Sequence, residues 1–159
     1  MNDTQLLLSN QICFPIYSVS RLITKAYKPF LDELGITYPQ YLVLMVLWEN
    51  DGISVNQITQ KLLLNTNTLS PLLKRMEKMQ LLERSRSIED ERSVIIQLTT
   101  KGKKLQKNAV PIPEKLFTEL LSDRIQMDDM IHLKDTRCEF INVLDNKTEP
   151  TDGSKNLTS

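Results

Sequence analysis

Two thiols, Cys13 and Cys138, are the candidates for covalent redox chemistry in this 159-residue chain. Cys13 has apolar neighbours, Ile12, Phe14, Ile16 and Tyr17. A thiolate there would be a nucleophile that oxidants convert to a sulfenic acid. A thiol on an apolar helix face is as readily an inert small core residue. The residues around Cys13 leave both readings open, and Cys138 reads first as a packing residue. Tyr27, Tyr38 and Tyr41 read equally as core aromatics. With His132 the only histidine, a zinc hydrolase site is not expected. The four glycines form no G-x-G-x-x-G or G-x-x-x-x-G-K-[ST] loop, so no nucleotide cofactor is expected either.

A second chemistry is written in the charge distribution. The 20 basic and 20 acidic residues cancel overall, but not locally. Residues 1–65 carry a net charge of −1, residues 66–107 carry +5, and residues 108–159 carry −4. A basic central segment between acidic flanks implies a local anion-binding face.

The elements that must position these groups read as follows. Apolar residues recur at helical spacing from about Ser9 to Leu34, with Pro29 near the end and Gly35 as a stop. Thr37 and Gln40 have capping-box spacing and open a second helix. That helix runs through Tyr41–Trp48, the longest apolar run at eight residues, and is expected to be central and buried. Eight residues are far too few for a membrane span. Ser54 and Gln57 form another capping box and open a short helix. After a tight turn, a further helix puts Leu69, Leu72, Leu73, Met76 and Met79 on one face. Its other face carries Asn67, Thr68, Ser70, Lys74, Arg75 and Lys78. The period then falls from 3.6 to 2. Leu82–Ser87 and Val94–Leu98 read as strands around the charged tip Ile88–Arg92. Thr99 or Thr100 caps the next helix, and Pro111 and Pro113 kink or divide it. A last amphipathic helix covers about Met127 to Leu144, and residues 149–159 read as a flexible tail.

This order predicts a mainly α fold with a small β-hairpin wing, a winged helix-turn-helix. Asn67, Thr68 and Ser70 lie near the start of the second helix of the pair, where side chains reach base edges in the major groove. Lys74 and Arg75 suit phosphates. Arg84, Arg86 and Arg92 lie on or beside the hairpin, where an arginine can enter a narrow minor groove. Asp90, two residues from Arg92, suits a bond to turn amides. One module covers a small site, so a pseudo-palindromic DNA operator and a homodimer are expected, with the terminal helices as interface. The expected division is 1–36 for dimerisation and the thiol, 37–100 for DNA binding, 101–148 for further dimerisation helices, and 149–159 as tail.

The run Leu64 to Glu77 (LNTNTLSPLLKRME), followed by Asp90 and Arg92, resembles the winged helix of MarR-type repressors. Asn10 to Phe14, Tyr17, Tyr27 and the run Ile36 to Tyr41 narrow this to the branch that senses organic hydroperoxides. The resemblance covers about Ser9 to Leu121 and implies a dimeric, MarR-like architecture. It implies that Cys13 is the redox-sensing thiol, and that Tyr27 and Tyr38, with Tyr17, support its thiolate across a dimer. It implies that Thr66, Thr68, Ser70 and Arg75 read DNA, that Arg92 is the wing-tip arginine, and that Asp90 holds the wing. Three positions depart from the pattern. Asn65 stands where the branch has Asp, Asn67 where it has Gly or Ala, and Thr118 near the place of a resolving cysteine.

The function this implies is a cytoplasmic, redox-sensing repressor, not an enzyme, that leaves its operator when an organic hydroperoxide or related oxidant modifies Cys13. Cys138 is the possible second thiol. The competing readings are a repressor relieved by a non-covalent aromatic ligand, a thiol peroxidase, and a protein-interaction module. The first 14 residues place no basic region before their short apolar stretch, so no secretory signal and no disulfide framework are expected.

Overall fold

The computed structural model describes residues 3–88, 90, 92–121 and 125–148. The expected tail, 149–159, lies outside them. The chain divides into two compact units at Leu116/Phe117.

The first helix starts later than its apolar period suggests. Asp3–Leu6 and Leu8–Asn10 form short 3-10 turns, and α1 runs Cys13–Glu33. It passes through Pro29 without ending. Leu31 and Asp32 accept from the amides of Ile36 and Gly35, with Gly35 at φ +67. This pattern closes a helix C-terminus when a left-handed residue follows it, and glycine adopts that conformation at least cost. Leu31 and Ile36 seal the turn from inside, both buried.

Helix α2 (Tyr38–Glu49) follows at once, with the Thr37 amide donating to Gln40 Oε1 at 2.8 Å. Its Gln40, Tyr41, Val43, Leu44, Val46 and Leu47 are buried, so the all-round apolar run is indeed central. Strand β1 (Ile53–Ser54) was not legible in the sequence, because two residues show no period. Ser54 then caps α3 (Val55–Leu62), exchanging bonds with Gln57 at 2.9 and 3.2 Å. Leu63 takes a left-handed φ of 53 and turns the chain into α4 (Thr66–Lys78).

Strands β2 (Leu82–Arg86) and β3 (Val94–Leu98) pair antiparallel, with Leu82 opposite Leu98 and Arg86 opposite Val94. The first strand thus stops one residue short of Ser87. β1 pairs with the other edge of β3, giving the order β1-β3-β2. Thr99, whose hydroxyl accepts from the Gly102 amide at 3.1 Å, caps α5 (Thr100–Ala109). The two prolines divide rather than kink: α6 (Ile112–Leu120) is a separate helix. Helix α7 runs Met127–Thr148, four residues beyond its expected end.

The core of the first unit joins Leu44 and Leu47 of α2, Ile58 of α3, Leu69, Leu73 and Met76 of α4, and Ile96 of β3. Burying such side chains stabilises by roughly 1.5–3 kcal/mol each. This core holds α3, α4 and the wing as one body. Among the described residues no helix is long and apolar enough to cross a membrane.

Candidate functional site

The outer face of α4 is built from its cap. Asn65 is the N-cap residue, and its Oδ1 accepts from the Thr68 amide and the Thr68 hydroxyl, both at 2.8 Å. A neutral amide oxygen does here what a carboxylate would do. Thr66, Asn67 and Thr68 are exposed in the first turn, and Ser70 is half-buried. Lys74, Arg75 and Lys78 are exposed further along, while Leu69, Leu72, Leu73 and Met76 are buried beneath. Sequence reasoning missed the cap itself, although an Asn immediately before a Thr-rich helix start is a capping signal.

On the hairpin the arginines separate. Alternation along β2 puts Arg84 and Arg86 on the same side as buried Leu82. Arg84 turns towards α4, its guanidinium 3.8 Å from Glu77 and its side chain only 26 % exposed. Its Nε is buried without a hydrogen-bond partner. Arg86 and Arg92 are exposed. At the tip, Asp90 Oδ1 accepts from the Arg92 amide at 3.0 Å and Oδ2 accepts from the Ser93 hydroxyl at 2.6 Å. These two bonds hold the Asp90 carboxyl below its ordinary value. Asp90 therefore stays charged and keeps the turn closed, which leaves the Arg92 side chain to point elsewhere.

The wing root has a carboxylate that sequence reasoning also missed. Asp51 Oδ1 accepts from the Gly52 amide at 3.0 Å and from the Leu98 amide at 2.8 Å. Its Oδ2 lies 3.0 Å from Lys103 Nζ. Burial alone would raise the Asp51 carboxyl. The Leu98 amide, Lys103 and the Gly52 amide outweigh that and hold it below the usual carboxylate value. Gly52 sits at φ +74 beside it. In the sequence, Asn50-Asp51-Gly52 reads only as a turn, because its bonding partners lie far along the chain.

Cys13 occupies the first position of α1 and is exposed, so it is not a core residue. Phe14, Ile16 and Tyr17 beside it are exposed too. Tyr17 is engaged by Arg21, whose Nη1 donates to its hydroxyl at 3.4 Å and whose guanidinium lies over its ring. Tyr27, Tyr38 and Tyr41 cluster elsewhere, with ring centroids 5.0 Å apart for Tyr27 and Tyr38 and 5.8 Å for Tyr27 and Tyr41. Tyr41 is buried in the core, and the other two are half-buried. Burial first, and then the neighbouring Tyr38 and Tyr41, push the Tyr27 phenol up to about 12. Burial, then Tyr38, raises Tyr41 as well. These phenols remain protonated donors at neutral pH. One chain does not bring Cys13 to them, since fourteen residues of helix separate Cys13 from Tyr27, a rise of about 21 Å.

A groove of about 980 Å³ runs along α1 to the start of α2, lined by Phe14, Tyr17, Leu22, Lys25, Ile36 and Tyr38 among others. Cys138 is exposed on α7, as are Ile131, Leu133, Phe140 and Leu144 of that helix. No cluster of metal-ligating side chains occurs among the described residues.

A family model described as "Transcriptional regulator SarA/Rot" matches residues 25–109. The organic hydroperoxide resistance transcriptional regulator of Bacillus subtilis (strain 168) is 54% identical over 106 residues, 67% of this chain and 72% of the relative. Among solved structures, reduced AbfR bound to DNA superposes with a TM-score of 0.75 at 36% identity, covering 94% of this chain and 100% of that one. The same Staphylococcus epidermidis protein is similar in an overoxidised, DNA-bound form (TM-score 0.70, 36% identity, 91% and 99% covered). A disulfide form matches with a TM-score of 0.59 at 38% identity, 89% and 97% covered.

Proposed function

This chain belongs to the MarR-type transcriptional regulators, in the branch of the organic hydroperoxide resistance regulators, and from that premise we propose how its residues carry out redox-controlled repression. It is a redox-sensing, DNA-binding repressor with a winged helix-turn-helix. Helix α4 enters the major groove, with Thr66, Asn67, Thr68 and Ser70 at base edges and Lys74 and Arg75 on phosphates. Arg86 and Arg92 carry the wing to the neighbouring minor groove, and Asp90 keeps its turn closed. Arg84 binds β2 to α4 through Glu77 and supports the surface rather than touching DNA. Two copies pair through the segments 1–36 and 101–148, where α1 and α7 expose Ile16, Leu22, Phe140 and Leu144. The pair reads a pseudo-palindromic operator in the cytoplasm, where thiols stay reduced.

One observation carries the sensing step: the exposed Cys13 thiol begins α1, and Tyr27 of the phenol cluster lies fourteen residues further along the same helix, a rise of about 21 Å. Two copies of α1 packed with opposite polarity bring Cys13 of one subunit to the partner subunit's Tyr27 and the partner's Tyr38, with Tyr17 alongside. Phenol O–H groups and the α1 N-terminus then surround the sulfur with hydrogen-bond donors. The thiolate sulfur attacks the terminal oxygen of R–O–O–H. The O–O bond breaks, sulfur becomes Cys–S–OH, and the alkoxide leaves with a proton from water. The anion that the phenols held is gone, so the pocket rearranges and the two reading heads lose their spacing. Each subunit reacts once per signal; the step is stoichiometric, not enzymatic turnover. Overoxidised AbfR is described on DNA, and a separate form of it carries a disulfide. Release in this chain is accordingly completed when the sulfenic acid condenses with a thiol, Cys138 or a small one, because Thr118 offers none.

A gel shift tests this on the protein's own upstream duplex, with and without cumene hydroperoxide, followed by mass spectrometry of Cys13 and Cys138. Wild type loses the duplex, and Cys13→Ser keeps it. If Cys13→Ser releases DNA as wild type does, the thiol is not the sensor. The apolar, cation-edged groove beside Tyr38 would then hold a non-covalent aromatic ligand instead.

A further inference from the structure

Trp48 is the only tryptophan in the chain, and it stands between two features described above. Its ring meets the Tyr41 ring edge-on at 67°, with centroids 6.2 Å apart. Tyr41 in turn packs on Tyr27 and Tyr38, at 5.8 and 6.5 Å. On its other side, the indole N–H donates to the Gly102 carbonyl at 3.0 Å, 54 positions along the chain.

Gly102 is itself pressed against the end of the recognition helix. A methyl group at its Cα would collide with the Leu81 carbonyl oxygen and crowd Leu98. The residues before it grip the same stretch of chain. The Thr99 hydroxyl donates to Gln80 O at 2.6 Å, Lys101 Nζ donates to Met79 O at 2.9 Å, and the Thr99 amide donates to Leu81 O at 3.2 Å. Met79, Gln80 and Leu81 are the residues in which α4 ends, and Gln80 stands at φ +59 to make that turn. The C-terminus of α4 is therefore clasped by residues 99–102, and the clasp is fastened to α2 by the Trp48 indole.

Every step from Tyr27 to α4 is a ring contact, a hydrogen bond or a close backbone approach. A half-buried indole N–H has one proton to give and gives it to the Gly102 carbonyl, so leaving costs it that bond. Packed interiors pass displacements on rather than absorb them. A shift of the tyrosine cluster moves Trp48, and Trp48 either carries the first turn of α5 with it or breaks its bond. Carrying it displaces the clasp on α4, whereas a broken bond leaves the clasp in place but uncoupled from the tyrosine cluster.

We propose that Trp48 is a positioning residue that couples the tyrosine cluster to the recognition helix, with the Gly102 carbonyl as its receiving point. This rests on the reading of Tyr27 and Tyr38 as donors to the Cys13 thiolate. The sequence hides the device, since Trp48 reads as one more apolar residue of α2 and Gly102 as a weak point in α5.

Two measurements test it on the full-length protein with the upstream duplex. In the first, the emission of Trp48 is followed while cumene hydroperoxide is added. The emission shifts in wild type and stays in Cys13→Ser. In the second, duplex affinity is measured before and after oxidation for wild type and Trp48→Phe, which keeps a ring but lacks the N–H. Trp48→Phe binds within about threefold of wild type when reduced, and its affinity loss on oxidation falls by about tenfold relative to wild type. Cys13 oxidises at the same rate in both, by mass spectrometry, so a change in the ratio is a change in coupling. An unmoved emission, or an undiminished ratio in Trp48→Phe while wild type still releases DNA, overturns the coupling and leaves the sensor reading intact. Wild type that holds its DNA after the Cys13 sulfenic acid has condensed with a thiol overturns both. The emission experiment does not depend on Trp48→Phe folding.

Discussion

The Leu98 amide donates to the Asp51 carboxylate at 2.8 Å, and this bond joins the last residue of β3 to the turn after α2. The same carboxylate faces Lys103 on α5. The wing root, the entry to β1 and α3, and the start of α5 meet at one side chain. Asp51→Ala leaves the Leu98 amide without this acceptor, and a thermal melt should show a loss of about 1–2 kcal/mol. The pH dependence has a definite sign. Because the native carboxyl lies below its ordinary value of 3.8, the stabilisation is complete above that value and disappears as pH falls through the native one. The gap between wild type and Asp51→Asn should therefore close on the acid side. A gap that stays constant from pH 7 to pH 2 would remove Asp51 from this role.

The wing arginines are expected to divide by what they touch. Arg86→Ala and Arg92→Ala each weaken duplex binding for all sequences and lower the slope of log affinity against log salt by about one. Arg84→Ala should leave that slope unchanged, because its guanidinium faces Glu77. Fluorescence anisotropy titrations between about 50 and 200 mM salt separate the two cases. A lowered slope for Arg84→Ala would return that residue to the DNA face.

At the head of α4, Asn65→Ala removes the cap and should cost about 1 kcal/mol in a denaturant melt. Asn65→Asp keeps an acceptor for the Thr68 amide and should restore the stability. It also adds a negative charge beside the DNA face, so its duplex affinity should fall even though its melt does not. Equal affinity for Asn65→Asp and wild type would mean that this turn stands away from the phosphates.

The Tyr27 phenol is pushed up to about 12 by burial and by its tyrosine neighbours. Here the neutral form is the favoured one, so the associated stability is complete below the ordinary value of 10.0 and is lost as pH rises from there towards 12. A 295 nm titration of the native protein should show a late-ionising phenol that is absent in Tyr27→Phe. In stopped-flow, the same variant should react with cumene hydroperoxide about tenfold more slowly at Cys13, the share of one charge-assisted hydrogen bond. An unchanged rate would separate Tyr27 from the thiolate.

Gly102→Ala should lower the thermal midpoint by the equivalent of about 1–3 kcal/mol, since the new methyl meets backbone rather than a flexible side chain. A melt that matches wild type would mean that the clasp at Leu81 gives way easily.

The sequence alone determined the elements, because their signals are local. The Thr37–Gln40 and Ser54–Gln57 caps, the apolar face of α4, the change of period at Leu82 and the break at Pro111 each span a few residues. Those signals suffice for the helix-turn-helix, its wing and the polar face of α4. They also set Cys13 and Tyr27 on one helix, fourteen positions apart. Tertiary structure decided everything that depends on partners distant in the chain. It turned Arg84 towards Glu77, buried Tyr41 while leaving Cys13 in the open, added β1 to the sheet, and brought Asp51 to Leu98 and Trp48 to Gly102. A hydrogen bond across some fifty positions leaves no period or spacing in the chain, because its geometry exists only once the core has closed around it.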